Sequence, residues 1–196
     1  GFKSIEWEYP KGYRNCTRVL TKWKSLPQIM WNRLIRILNH RDLAEATPFG
    51  IDCQGTWIPD AVNPCLRFSR YEPGGHFSKH RDGGYVINDE YRSIFTLLCY
   101  LNDEFTQGRT IIYDDHGENY AVQPKAGKML LMSHELVHEG EPVAEGQKYI
   151  FRTDVMFKRI QKINKSDYLT NKEYIEAENL YQQSIRLQNE GDPAGS

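Results

Sequence analysis

The stretch KHRDGGYVIND, residues 79–89, sets His80, Arg81 and Asp82 side by side ahead of a glycine pair. Three readings are open: the catalytic loop of a protein kinase, half of an iron site, or a chance tripeptide on a surface turn. A kinase loop needs a leucine after the aspartate and an asparagine five positions beyond it, so that base and metal-holding amide converge on one phosphate. Here Gly83 follows Asp82, and Asn88 lies six positions on. A Gly-rich loop followed by a strand lysine, and an Asp-Phe-Gly segment, are also absent, which excludes that chemistry. A 2-His-1-carboxylate triad instead takes two ligands from one short segment and one from a distant strand, leaving the opposite face of an octahedral Fe(II) open. In an extended segment, residues two apart project to the same side, so His80 and Asp82 face one metal while Arg81 points away. In a chain with six histidines a lone His-x-Asp pair arises readily, so context has to decide. The third ligand would come from LLMSHELVHEGEPVAEGQKYIFRTDVMF, which offers His134 and His138.

Elements able to position such a site can be read along the chain. From Leu26 to Leu43 apolar residues recur at three- and four-residue steps, predicting an amphipathic helix with Ser25 as N-cap and Pro27 tolerated in the first turn. ATPFGIDCQGTWIPDAVNP is broken by glycine and proline and reads as loop with at most a short strand. From Cys65 onward come short β-like runs, CLRFSRY, SIFTLLCYLN, RTIIYDD, NYAVQP, KMLLMS and KYIFRTDVMFK, spaced as in a β-sandwich or closed barrel. After Ile160 the pattern returns to helix, with a weak stripe of Tyr174, Ala177, Leu180, Tyr181 and Ile185 and Gly191 as a stop. That helix is expected to pack on the β core.

Composition bounds the rest. The 196 residues suffice for one domain with a substantial core, and 39% hydrophobic against 26% charged residues is a globular balance. A net charge of −1 gives no broad positive field, so neither nucleic acid nor an anionic membrane is expected as a partner. Cys16, Cys53, Cys65 and Cys99 are scattered, which argues against a zinc knot or a disulfide scaffold and favours a reducing, intracellular setting, cytoplasmic or nuclear. Opening on Gly1 and closing on DPAGS, the sequence reads as an excised domain, so localisation is weakly constrained and oligomeric state is unspecified.

The flanks of the candidate ligands carry longer patterns. Arg70, Tyr71, Gly74, Phe77, His80 and Asp82 stand in one ordered spacing, and His138, Gly140, Pro142, Val143, Gly146, Lys148 and Tyr149 in another. CYLND and QGRTIIY lie between them. Over residues 63–157 the chain thereby resembles the Fe(II)/2-oxoglutarate-dependent dioxygenases, and within them the prolyl 4-hydroxylase-like group. Gln107 departs from the pattern, standing where the family has the first glycine of Gly-Gly-x-Thr.

The resemblance implies a mainly β fold with flanking helices, built on a double-stranded β-helix (jelly-roll, cupin-like) core. It places the dioxygenase domain at 1–160, with helical support about 25–43 and the β core about 63–158, and leaves 161–196 as a C-terminal helical extension. His80, Asp82 and His138 become the iron ligands, and His134 a loop residue or a support behind them. His40, His76 and His116 are expected at the surface. Fe(II), 2-oxoglutarate and O₂ are implied, with ascorbate an optional reductant. Lys148, ten residues after His138, matches the lysine that holds the C5 carboxylate of 2-oxoglutarate. Arg152 is its rival, four residues on along the same face and able to bind in a bidentate fork. Tyr71 matches the co-substrate tyrosine and Tyr100 lies similarly on a neighbouring strand, each equally readable as a core aromatic. Arg67 and Ser69 share the face of Tyr71, Asn63 or Arg92 would line the mouth, and GGYVINDEY would form a mobile loop over substrate. The implied activity is hydroxylation of an unactivated C–H bond with release of succinate and CO₂. A peptidyl proline is the leading substrate, and small metabolites, free amino acids and other protein side chains stay open. A nucleobase-modifying dioxygenase and a non-enzymatic β-barrel with a degenerate site are the alternatives.

Overall fold

The computed structural model describes the chain except residues 11, 39–42, 44, 51–52, 115, 117, 163–170 and 191–196. His40 and Gly191 therefore lie outside the described residues. The chain opens with β1 (Lys3–Ser4), a 3-10 turn (Glu6–Glu8), β2 (Arg14–Asn15), β3 (Thr17–Lys22) and helix α1 (Ser25–Ile37). Strands β4 (Gly55–Val62), β5 (Cys65–Tyr71), β6 (His76–His80), β7 (Val86–Asn88) and β8 (Tyr91–Tyr100) follow. Then come β9 (Phe105–Gln107), β10 (Thr110–Tyr113), β11 (Asn119–Val122), β12 (Met129–Ser133), β13 (Val137–Gly140), β14 (Val143–Gly146), β15 (Lys148–Lys162) and helix α2 (Lys172–Glu190).

The major sheet runs β1-β3-β5-β15-β8-β12, with β4 also on β15 and β7 on β8. The minor sheet runs β11-β10-β13-β6-β2, and β14 pairs with β9. This is the expected double-stranded β-helix. SIFTLLCYLN is apolar at nearly every position because both faces of β8 are covered. Leu97 and Cys99 join Phe151, Val155, Phe157 and Trp57 beneath the Met30 face of α1, while Leu98 and Tyr100 join Tyr71, Val143 and Ile150 in the inner core. No helix among the described residues is long and apolar enough to cross a membrane.

Four expectations change. Helix α1 stops at Ile37, where Leu38 turns extended (ψ 117). Leu43 nonetheless reaches the same core, so the periodicity counted a core residue beyond the helix. Ser25 is the first helical residue rather than the cap. The entry is set by β3 pairing with β5 and by the Trp23 N–H bond to the Pro64 carbonyl, and Lys24 at the cap makes no side-chain bond. Residues 55–62 form a full eight-residue strand despite Pro59. The ring is tolerated because, among the described residues, β4 pairs with β15 alone, with a register shift beside the Pro59–Phe157 pair. Finally, Ala177 and Leu180 of the expected α2 stripe are exposed and Tyr174 is partly buried, while the side chains of Tyr181 and Ile185 lie outside the described residues.

Asp154, 0% exposed on β15, accepts from Arg67 at 2.9 Å and from Asn63 Nδ2 at 3.0 Å, tying β15 to β5 and the end of β4. Asn63 thus braces the sheet instead of lining the mouth. Removing the carboxylate strands a largely buried guanidinium, so Asp154→Ala is expected to lose about 3–5 kcal/mol of stability, read from the urea midpoint.

Candidate metal centre and co-substrate pocket

Strand pairing alone brings the two distant motifs together. His80 ends β6 directly across from His138 on β13, which sets their rings 4.2 Å apart. His80 Nδ1 faces the Ser78 carbonyl at 2.7 Å, and His138 Nδ1 faces the Leu136 carbonyl at 3.0 Å. Each Nδ1 then carries the proton, and each Nε2 lone pair is turned inward as a ligand. Asp82 lies just beyond β6, with Oδ1 3.7 Å from His80 Nε2 and Oδ2 3.7 Å from His138 Nε2. The ligating atoms of His80, Asp82 and His138 all lie within 4.8 Å of one another. Arg81 points away to the Glu135 carbonyl, as the alternation requires.

Protonation suits a cation. Burial first, then the neighbouring His138, lowers His80 to about 4, so its imidazole is neutral at physiological pH. Burial alone would raise Asp82, but Arg152, His138 and the Thr96 hydroxyl outweigh it and hold the carboxylate ionised. Two imidazoles with inward Nε2 atoms and one carboxylate, opening together onto a cavity, fit one face of an octahedral Fe(II).

A relay behind Asp82 was not legible in the sequence. Thr96 donates to Asp82 Oδ2 at 2.6 Å, so its oxygen accepts from His134 Nδ1 at 3.2 Å, and His134 Nε2 accepts from Ser93 Oγ at 2.8 Å. This assignment gives every hydroxyl in the chain one donor role. Both nitrogens of His134 are engaged, and neither is left for a metal. The only sequence signal for Thr96 was a polar residue in an apolar run, on the same face as Leu98 and Tyr100. Thr96→Val should lower ferrous affinity by about 10–100-fold, measured by anaerobic titration.

At the far end of the cavity, Lys148 is 3% exposed and donates to the Gly108 carbonyl at 2.6 Å. Tyr71 and Tyr100 flank it, with ring centroids 5.5 and 5.7 Å from Nζ. Burial raises both phenols, so they keep their protons, and Tyr100 donates to Thr110 at 2.6 Å. The carbonyl offered to Lys148 follows Gln107, whose φ of 62 is the backbone glycine favours. The side chain has changed from the family pattern while the left-handed turn persists, at a strain of about 1–2 kcal/mol.

Arg152 lies on the same inner face but nearer the triad, 2.8 Å from Asp82 Oδ1 and 3.6 Å from Asp154 Oδ1. Arg67 and Ser69 line the cavity as expected from alternation with Tyr71. Arg92 instead lines a second cavity of about 740 Å³, which shares Asp82 and Gly83 with the first. GGYVINDEY forms a β7–β8 hairpin beside it, with Val86 and Ile87 exposed. His116 is exposed as expected, whereas His76 is half-buried, facing the carbonyls of Gly12 and Gly74.

Residues 66–153 match the family model of the 2OG-Fe(II) oxygenase superfamily, and this segment contains the clustered His80, Asp82 and His138 together with Lys148. Over residues 66–153 the chain is similar to that superfamily. A PKHD-type hydroxylase of Janthinobacterium sp. (strain Marseille) is 33% identical over 97 residues, 46% of this chain and 42% of that protein. The chain spans about two fifths of the length of the first curated relatives it matches. A prolyl-4-hydroxylase from Pseudomonas putida superposes with a TM-score of 0.55 at 16% identity, covering 81% of this chain and 77% of that one. A Trichoplax adhaerens prolyl hydroxylase, solved with a hypoxia inducible factor peptide fragment, gives 0.56 at 16% identity, covering 79% and 70%. Both likenesses are of fold. Members of the superfamily use Fe(II), 2-oxoglutarate and O₂, and His80, Asp82 and His138 are the residues here that can hold the iron.

Proposed function

We propose that this chain is an Fe(II)/2-oxoglutarate-dependent hydroxylase acting on an unactivated C–H bond, with a protein or peptide as substrate and a prolyl residue first in line. The observation that carries the reading is one cavity with a two-histidine, one-carboxylate cluster at one end and a buried lysine at the other. Residues 1–160 would form the catalytic unit, with 161–196 as an extension. Relatives named PKHD-type hydroxylases, and a fold shared with prolyl hydroxylases, support the chemistry and the substrate class.

Iron, 2-oxoglutarate and O₂ together supply the oxidation, in which one oxygen atom enters the C–H bond and the other enters the succinate formed as CO₂ leaves. The chain does the positioning. Lys148 offers its ammonium to the C5 carboxylate, with the Tyr71 phenol as a donor beside it. Arg152 and Thr96 hold the two oxygens of Asp82, and Phe77 stacks on His80 at 3.5 Å, fixing the plane of that ring. The cavity of about 250 Å³ is smaller than the roughly 300–1,000 Å³ of typical ligand pockets. It therefore accepts a small co-substrate and one reaching side chain, leaving the body of a peptide outside.

The test is anaerobic reconstitution with Fe(II) and 2-oxoglutarate, followed by O₂-dependent succinate formation across a library of proline-containing peptides. Mass spectrometry should find a gain of one oxygen on a peptide whose presence raises succinate formation. Iron-loaded protein that forms no succinate with any member would remove the reading.

A further inference from the structure

Five cations line the cavity with two carboxylates, Asp82 and Glu139. Arg18 is answered by Glu8 at 2.6 Å, Arg67 by Asp154 at 2.9 Å and Arg152 by Asp82 at 2.8 Å. Lys148 and Arg14 line the same cavity, and among the described residues neither forms an ion pair with a carboxylate. Lys148 suits the far carboxylate of the co-substrate. Arg14 is left over.

Arg14 is built in, not draped over the surface. It is 9% exposed, and β2 pairs it across from Phe77 on β6. Its guanidinium carbon stands 4.2 Å from the centre of the Phe77 ring, which in turn stacks on His80. One aromatic ring therefore links the arginine to the His80, Asp82 and His138 cluster. Nε meets Cys16 Sγ at 3.2 Å, Nη1 meets the Tyr9 hydroxyl at 3.1 Å and Nη2 meets Ser69 Oγ at 3.4 Å. The Tyr71 phenol also lies against the guanidinium, and none of these thiol and hydroxyl partners carries a full negative charge to answer it. The ring faces of Phe77 and Tyr9 offset only part of the cost of burying a cation with no carboxylate beside it. An incoming carboxylate would meet a forked guanidinium whose charge is already stripped of water.

We infer that Arg14 recognises a carboxylate on the prime substrate, held beside the metal cluster while Lys148 holds the C5 carboxylate of 2-oxoglutarate. The inference rests on the proposed co-substrate reading. The substrate class becomes an acid: a small molecule with a free carboxylate, or a peptide presenting an acidic side chain or its terminus near the oxidised carbon.

The experiment is equilibrium binding, without turnover, to protein held anaerobically with Mn(II) and saturating 2-oxoglutarate. Matched pairs serve as probes: acetate and acetamide, benzoate and benzamide, N-acetylproline and its amide, and Glu-Pro against Gln-Pro dipeptide units with blocked ends. At least one acid should bind about 30-fold or more tightly than its neutral partner. Preference within the blocked peptides points to an acidic side chain, and preference among the small acids to a free carboxylate. Arg14→Gln should erase the difference, and Arg14→Lys should restore part of it without the fork. Equal binding of every acid and its neutral partner to the unaltered protein would overturn the inference, whatever the variants do. So would a loss of 2-oxoglutarate affinity in Arg14→Gln as large as the loss for the acid, which would put Arg14 on the co-substrate. Failure of succinate formation, tested separately, would remove the proposed reaction instead.

Discussion

Anaerobic titration of His138→Ala with Fe(II) is expected to show no tight binding, and succinate formation is expected to vanish with it. The variant keeps His80 and Asp82 but loses the imidazole that β13 brings directly opposite β6. With only two protein ligands, Asp82 is left to Arg152, already 2.8 Å from Oδ1. The deficit should exceed the roughly 10–100-fold that follows removal of a ligand's hydrogen-bond support. His134→Ala is the control that separates the two histidines of this segment. Both of its nitrogens serve Ser93 and Thr96, so its loss loosens Asp82 without removing a ligand, and iron binding should weaken about tenfold at most while persisting. Tight iron binding by His138→Ala, with loss in His134→Ala, would exchange their roles.

Lys148→Met should raise KM for 2-oxoglutarate by about 100-fold or more, as expected when one partner of a buried charge pair is removed. The unaltered protein should carry a pH signature of the same group. Burial lowers the Lys148 ammonium to about 8, with Glu141 pulling it partly back up. A dianionic co-substrate needs the protonated form, so affinity should be full below about pH 8 and fall as pH rises through it, by up to about tenfold per unit. In Lys148→Met that dependence should be flat. Stability runs the other way: between about 8 and 10.5 the unfolded lysine holds a proton that the folded one has released, so the fold gains stability as pH rises there. If Lys148→Met left KM unchanged and Arg152→Met raised it, Arg152 would be the C5 cation.

The parts of this molecule legible in its residues are those where chemistry and period coincide. Strands β5, β11, β12 and most of β15 follow from runs whose ends are marked by turn residues. His80, Asp82 and His138 stood out because both flanking spacings were present, although the geometry that joins them is a cross-strand register that no local pattern contains. Thr96 was hidden inside an apolar run. Arg14 was hidden because a two-residue strand has no period, and its burial depends on Phe77 and Ser69, over fifty residues away. Residues 55–62 were misread because Pro59 disqualifies a central strand, and only the sheet order reveals that β4 pairs, among the described residues, along one edge.

Strand β15 pairs with β5 and then β4 along one edge and with β8 along the other, while its inward side chains include Lys148, Ile150 and Arg152. Deleting one residue between Lys148 and Asp154 would send half of that row through to the oily layer under α1. Diversification of this pocket is thereby confined to swapping side chains at constant length, and room for insertions lies in the connections outside the ladder.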